Sequence, residues 1–135
     1  QMLRQIEFSL FDFILHQADN IESALEVQVL LDEVRAQVSV MPQAEFNRFQ
    51  NSFSHIFAGG YAAGYYSYKW AEVMASDAFA CFKENGIFDQ ATSKKFLQEI
   101  LQRGGEREAL DNYIAFRGRE PKTSALLIES GIIDE

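Results

Sequence analysis

The stretch Phe53-Ser54-His55-Ile56-Phe57-Ala58-Gly59-Gly60-Tyr61-Ala62-Ala63-Gly64-Tyr65-Tyr66-Ser67-Tyr68-Lys69-Trp70 gathers one of the two histidines, three of the eight glycines, four of the five tyrosines and the only tryptophan. Flexible glycine beside polar aromatic tips has the composition of a binding surface rather than of a core. From Tyr61 to Asn85 there is no proline, and Gly64 is the only breaker. Apolar side chains at Tyr66, Trp70, Val73, Met74, Phe79 and Phe82 predict one long helix over 61–85, closed by the stop pair Asn85-Gly86.

The segments on either side are helical in pattern too. Leu3, Ile6, Leu10, Phe13 and Ile14 follow the i, i+3, i+4, i+7 spacing of a helix face over residues 1–18. Phe8, Phe11 and Leu15 add a second apolar row, so this first helix is expected to be covered on two sides. Asp19-Asn20-Ile21-Glu22-Ser23 is a helix-start signal with Asp or Asn as the cap, and a second helix runs to about residue 38 before Pro42. Residues 45–50 form one further helical turn. Beyond Gly86, Asp89 or Thr92 caps a helix with Phe96, Leu97, Ile100 and Leu101 inward, ended by Gly104-Gly105. Leu110, Tyr113 and Ile114 mark a helix over 106–116, and Thr123 or Ser124 opens a last short one that Ser130-Gly131 stops. No stretch alternates with period two, so no sheet is expected. The fold class is all-α, a single helical domain over residues 1–135 built as a bundle of about six helices.

Composition narrows the function. A net charge of -8 gives no basic footprint for nucleic acid or an anionic membrane surface. No apolar run approaches the roughly 18 residues of a membrane span. The lone Cys81 cannot form an internal disulfide and, between Ala80 and Phe82 on the predicted third helix, reads as a buried inert thiol. His16 and His55 are too far apart for an H-E-x-x-H zinc helix, and His16 reads as a charge placed near a helix C-terminus. Gly59-Gly60 and Gly64 lack the lysine, the hydroxyl and the preceding strand of a phosphate-binding loop. The residues 1–7 mix acid and base, unlike a signal peptide, and the helical pattern is already under way at Gln1, as in a fragment cut from a larger protein.

The tyrosines are the remaining chemistry. On a helix at about 100° per residue, Tyr61 and Tyr68 fall within about 20° of one direction and Tyr65 about 40° from Tyr61. Three phenols then share one face, while Tyr66 turns with Trp70 and Met74 toward core. An aromatic stripe of this kind usually packs inward. The glycine-rich lead-in and the hydroxyl on each ring favour instead a surface that offers donors to a ligand.

The run from His55 to Trp70 closely resembles the glycine- and tyrosine-rich segment of the thimet oligopeptidase family of zinc metallopeptidases, and is most similar to its bacterial oligopeptidase A branch. Gln5-Ile6-Glu7-Phe8 with Leu10-Phe11-Asp12 is similar to the helix upstream of that segment, and Arg103-Gly104-Gly105 with Phe116-Arg117-Gly118-Arg119-Glu120-Pro121 resembles the family's C-terminal signature. The resemblance implies the C-terminal part of a large, mostly helical, cytoplasmic enzyme that cleaves short peptides with a zinc-bound water. The zinc ligands would lie in an H-E-x-x-H helix before this part, so the cofactor would be zinc in the full-length enzyme and none in this piece, which alone would be inactive. Its partners would be short peptide substrates and the remainder of the peptidase chain. By position, the resemblance makes Tyr68 the donor to the oxyanion of the attacked peptide carbonyl, Tyr61 a substrate contact and His55 a group near the substrate backbone. Gly59, Gly60 and Gly64 would let the loop open and close. Two other readings stay open: a free-standing, non-catalytic helical binding module or subunit, and, among enzymes, a dipeptidyl carboxypeptidase, whose segment is also similar.

Overall fold

In the computed structural model, which describes residues 1–134, helix α1 (Met2–Gln17) buries a narrow stripe of Glu7, Phe8, Phe11 and Asp12. The two phenylalanines are the hydrophobic drive of that stripe, and the two carboxylates on its edges have to find donors there. Helix α2 (Ala24–Val38) packs along α1 and contributes Leu31 and Val34. Its N-cap is Ser23, whose hydroxyl accepts from the Glu26 N–H at 3.3 Å, rather than the expected Asp19 or Asn20. Glu26 in turn accepts from the Glu22 N–H at 2.7 Å, so the first turn is tied from both ends. Glu7 takes the Arg35 guanidinium at 3.1 Å, and Arg35 also donates to the Asn47 side-chain oxygen at 3.0 Å.

The chain divides into two units, residues 1–69 and residues 70–135. After a 3₁₀ turn at Phe49–Ser52, the first unit adds the single-turn helix α3 (Ser54–Phe57). Its core is Phe8, Phe11, Leu31, Val34, Phe53, Ile56 and Tyr65. Phe8 stacks on Phe49 with ring centroids 4.4 Å apart, and the Phe53 ring lies 5.0 Å from Tyr65. The expected long helix over 61–85 begins later: α4 spans Ser67–Asn85, and residues 58–66 are a chain of turns. A glycine pair and Gly64 within eight residues leave too little propensity to nucleate a helix there.

In the second unit α4 continues, followed by α5 (Gln90–Phe96), a π-helical turn at Leu97–Leu101, α6 (Ala109–Arg117) and α7 (Ser124–Glu129). Asp89 caps α5 as expected, accepting from the Thr92 N–H at 2.6 Å. The core is Ala78, Cys81, Tyr113 and Phe116, with Met74, Phe82, Phe96 and Ile100 against it. Cys81 is buried, as its sequence setting implies. Leu97 and Leu101 are exposed instead of inward, because the wider π turn rotates them away from the line of Phe96 and Ile100. Among the described residues there are seven α-helices and no strand, so the all-α class holds and the one-turn α3 is the addition to the expected six.

The second unit is tied by a buried carboxylate. Asp77 on α4 accepts from the Tyr113 hydroxyl at 2.6 Å, from both terminal nitrogens of Arg119 at 2.6 and 2.7 Å, and from the Lys122 N–H at 2.9 Å. Burial alone pushes this carboxyl up; the hydrogen bonds from Arg119, Tyr113 and Lys122 outweigh it and hold the group well below the usual carboxylate range. The same partnership, after burial, keeps the Tyr113 phenol protonated far above its ordinary value. Arg117 pairs with Glu84 beside this hub.

Candidate functional site

The turns between α3 and α4 carry the candidate residues, and local backbone bonds shape them. The Ala58 and Gly59 N–H groups both reach the Ser54 carbonyl at 2.7 Å, and the Tyr61 N–H reaches the His55 carbonyl at 3.0 Å. A Cβ on Gly59 would sit 2.9 Å from the His55 Cα and carbonyl oxygen, so only glycine allows this return of the chain onto α3. Gly60 follows in the left-handed region at φ 79°, where a side chain would be strained although nothing crowds it. Gly64 is different. A Cβ there would make only ordinary contact at 3.5 Å, so neither conformation nor space demands glycine at that position.

One side chain from another element fastens these turns. Asp12 of α1, fully buried at 0% exposure, accepts from the Ala63 N–H and the Tyr65 N–H, both at 2.9 Å, one on each oxygen. His16, one turn on, places Nδ1 2.9 Å from the same carboxylate and 2.8 Å from the Asp12 carbonyl. Both neighbours are acceptors, so Nδ1 carries the hydrogen. His16 therefore has the structural role expected of it, with the carboxylate as its partner as well as the helix end. Ala63 is the only non-glycine among the described residues with positive φ, at 52°, and Asp12 grips the chain at that residue.

With the turns fixed, His55, Tyr61, Tyr65 and Tyr68 form an aromatic group. Ring centroids are 5.0 Å apart for Tyr61 and Tyr68, 5.2 Å for Tyr65 and Tyr68, and 5.8, 6.2 and 6.3 Å from His55 to Tyr65, Tyr61 and Tyr68. The expected trio is thus together, although it does not share a helix face: Tyr61 precedes α4 and the turns bring it back. The rings also have different roles. Tyr65 is core at 8% exposure, its hydroxyl donating to Gln5 at 3.0 Å, and burial raises its pKa. Tyr61 and Tyr68 are open to solvent at 36% and 39%, and His55 is exposed.

The expectation that Tyr66 and Trp70 are core is corrected. They are 45% and 48% exposed, and Tyr66 lies on the Phe13 ring at 5.2 Å. Asp12's hold on the Tyr65 N–H directs Tyr65 inward, which turns its neighbour Tyr66 out.

The hydrogen bond with Tyr61 is the first cause that raises the Tyr68 pKa, ahead of burial and of the charges on its two phenolic neighbours. Tyr68 therefore keeps its hydrogen through neutral and mildly alkaline pH and remains a donor. Exposed phenols beside an imidazole can donate through their O–H groups to a carbonyl and offer flat aromatic surface to a chain laid across them. Asp12 went unnoticed in the sequence as a functional residue. Its signal is an acid set between Phe11 and Phe13 in the apolar run from Leu10 to Leu15, a position that requires donors from elsewhere. Among the described residues no three His, Cys, Asp or Glu side chains gather in a way that could hold a metal ion.

Comparison with known proteins gives these phenols a context. The chain is 50% identical to oligopeptidase A of Salmonella typhimurium and of Escherichia coli, in each case over 131 residues, 97% of this chain and 19% of the relative. It is 40% identical to dipeptidyl carboxypeptidase of Salmonella typhimurium over 86 residues, 63% of this chain and 13% of that relative. The chain thus spans about a fifth of the length of the oligopeptidases it matches. Residues 1–132 match Peptidase family M3 as a family. An all-helical chain that carries this turn and these phenols, and matches the family almost from end to end, belongs to peptidase family M3.

Proposed function

We propose that this chain acts as the C-terminal part of a zinc metallo-oligopeptidase that hydrolyses short peptides, where it supplies the phenols that bind the peptide and stabilise its reacting carbonyl. The observation that carries the reading is the exposed pair Tyr61 and Tyr68, 5.0 Å apart, beside the exposed His55 and anchored on a core tyrosine. Tyr68 donates its phenolic hydrogen to the oxygen of the attacked peptide carbonyl as negative charge builds on it. Tyr61 and His55 line the path of the substrate backbone. Glycines 59 and 60 give the turn its shape, and together with Gly64 they give it freedom to close on a peptide.

Zinc would supply the Lewis acidity of such an enzyme. The described residues of this chain do not fit a zinc site, since they bring no three suitable ligands together. In this reading their contribution is to the peptide, the zinc ligands lie elsewhere in the polypeptide, and the chain by itself is expected to be inactive. Among the described residues no helix is long and apolar enough to cross a membrane. A cytoplasmic site of action belongs to this reading by analogy with the relative named a probable cytosolic oligopeptidase A in Arabidopsis thaliana, although another relative from that plant is named organellar. The likeness to dipeptidyl carboxypeptidase over the shorter span favours a second reading, release of dipeptides from a free C-terminus.

The test is kinetic, in the full-length enzyme with an internally cleavable peptide. Tyr68→Phe is expected to lower kcat by about 10²-fold or more with little change in KM, as for loss of one oxyanion donor. Tyr61→Ala is expected to act mainly on KM. Product analysis separates internal cleavage from dipeptide release. Unchanged turnover in Tyr68→Phe removes the phenol from the chemistry.

A further inference from the structure

We infer that Asp12 is a positioning residue for the peptidase reaction, acting through the backbone of the tyrosine-bearing turn. The inference rests on the functional reading of Tyr68 given above. Asp12 is completely buried, so its carboxylate cannot meet a peptide. Its two oxygens are instead shared between two amides of the turn, Ala63 and Tyr65, at 2.9 Å each. Those two amides lie between Tyr61 and Tyr68, so the carboxylate fixes the stretch that separates the two exposed phenols.

The local conformation needs such a fastening. Ala63 stands in the left-handed region at φ 52°, where a residue with a Cβ is strained, and it persists only where its surroundings over-determine it. Asp12 does so by binding the Ala63 N–H directly. Its hold on the next-but-one amide sends Tyr65 into the core, where the Phe53 ring packs at 5.0 Å and Gln5 takes its hydroxyl. Tyr65 is then the floor on which Tyr68 rests at 5.2 Å. His16 completes the device by donating to the carboxylate from the solvent side and holding it in orientation. A charged acceptor binds N–H groups about twice as strongly as a neutral one, so a carboxylate is suited to this position and an amide much less so.

The test is a double-mutant cycle in the full-length enzyme between Asp12→Asn and Tyr68→Phe, with kcat and KM measured for a short peptide. Asparagine keeps the shape but can accept only one of the two amides, because its NH₂ opposes the other. If Asp12 works by placing Tyr68, Asp12→Asn lowers kcat about 10-fold or more in the wild-type background and less than about 3-fold once the Tyr68 hydroxyl is gone, with KM nearly constant. An equal loss in both backgrounds overturns the inference and leaves the role of Tyr68 standing. A silent Tyr68→Phe overturns both. If Asp12→Asn does not fold, amide exchange in the unaltered enzyme decides: slow exchange at Ala63 and Tyr65, by about 100-fold against free turn amides, supports the fastening, and rapid exchange at both overturns it.

Discussion

Replacing Asp77 by asparagine leaves the size of the side chain almost unchanged and removes its charge from the centre of the second unit. The wild-type carboxylate accepts four hydrogen bonds from three groups, two of them from the Arg119 guanidinium. Loss of one partner of a buried ion pair costs about 3–5 kcal/mol, because the other charge stays behind unpaired. Here the Arg119 side chain is 32% exposed and can recover part of its hydration, which draws the cost toward the lower end. Tyr113, buried at 2% exposure, keeps only a neutral acceptor for its hydroxyl. The expected loss is therefore about 3 kcal/mol for Asp77→Asn and about 1 kcal/mol for Tyr113→Phe, which removes one donor and leaves the ion pair intact. Acid should mimic the substitution. The Asp77 pKa is depressed in the folded state, so its stabilisation is present in full above the unfolded value near 3.9 and is lost as pH falls below it toward the folded value. Denaturant unfolding of the full-length protein, together with hydrogen exchange read at the amides of residues 109–117, measures both effects. A loss under about 1 kcal/mol in Asp77→Asn, or equal losses in the two variants, refutes the assignment of Asp77 as the hub of this unit.

Two further outcomes follow from packing. Gly59→Ala should distort the turn, since its Cβ would press on the His55 backbone at 2.9 Å, and activity should fall with it; Gly64→Ala, with 3.5 Å of room, should melt near wild type. Phe11→Ala empties a fully buried site in the core of the first unit and should cost about 3–5 kcal/mol in denaturant unfolding.

The helical class was legible because period and punctuation agree along the chain: the helices over residues 1–18 and up to about residue 38, the stop at Asn85-Gly86 and the cap at Asp89 all recur in the structure, although α1 is buried along one narrow stripe and not on two sides, and Leu25 and Val29 of α2 are exposed. The grouping of Tyr61, Tyr65 and Tyr68 was legible as well, but its basis in one helix face was not sound. Glycine weakens helix at 59, 60 and 64, and the ring cluster is assembled by turns that a tertiary contact holds. That contact explains why Tyr65 and Tyr66 exchange their expected places, since periodicity cannot know where Asp12 pulls the backbone. Asp12 and Asp77 share a signature that sequence reading can use. Asp12 lies between Phe11 and Phe13, and Asp77 is spaced with Val73, Met74, Ala78 and Cys81 on one face of α4. Each is an acid in a buried row, and each serves as the acceptor for groups brought from distant parts of the chain within its own unit.

The central claim is that the Tyr68 hydroxyl acts on the reacting carbonyl. The most direct measurement is the single-turnover rate constant of Tyr68→Phe in the full-length enzyme, with enzyme in excess of a short peptide so that binding and product release do not contribute. The expected result is a fall of about 10²-fold or more against wild type, with unchanged peptide affinity and melting. A single-turnover rate equal to that of wild type contradicts the claim.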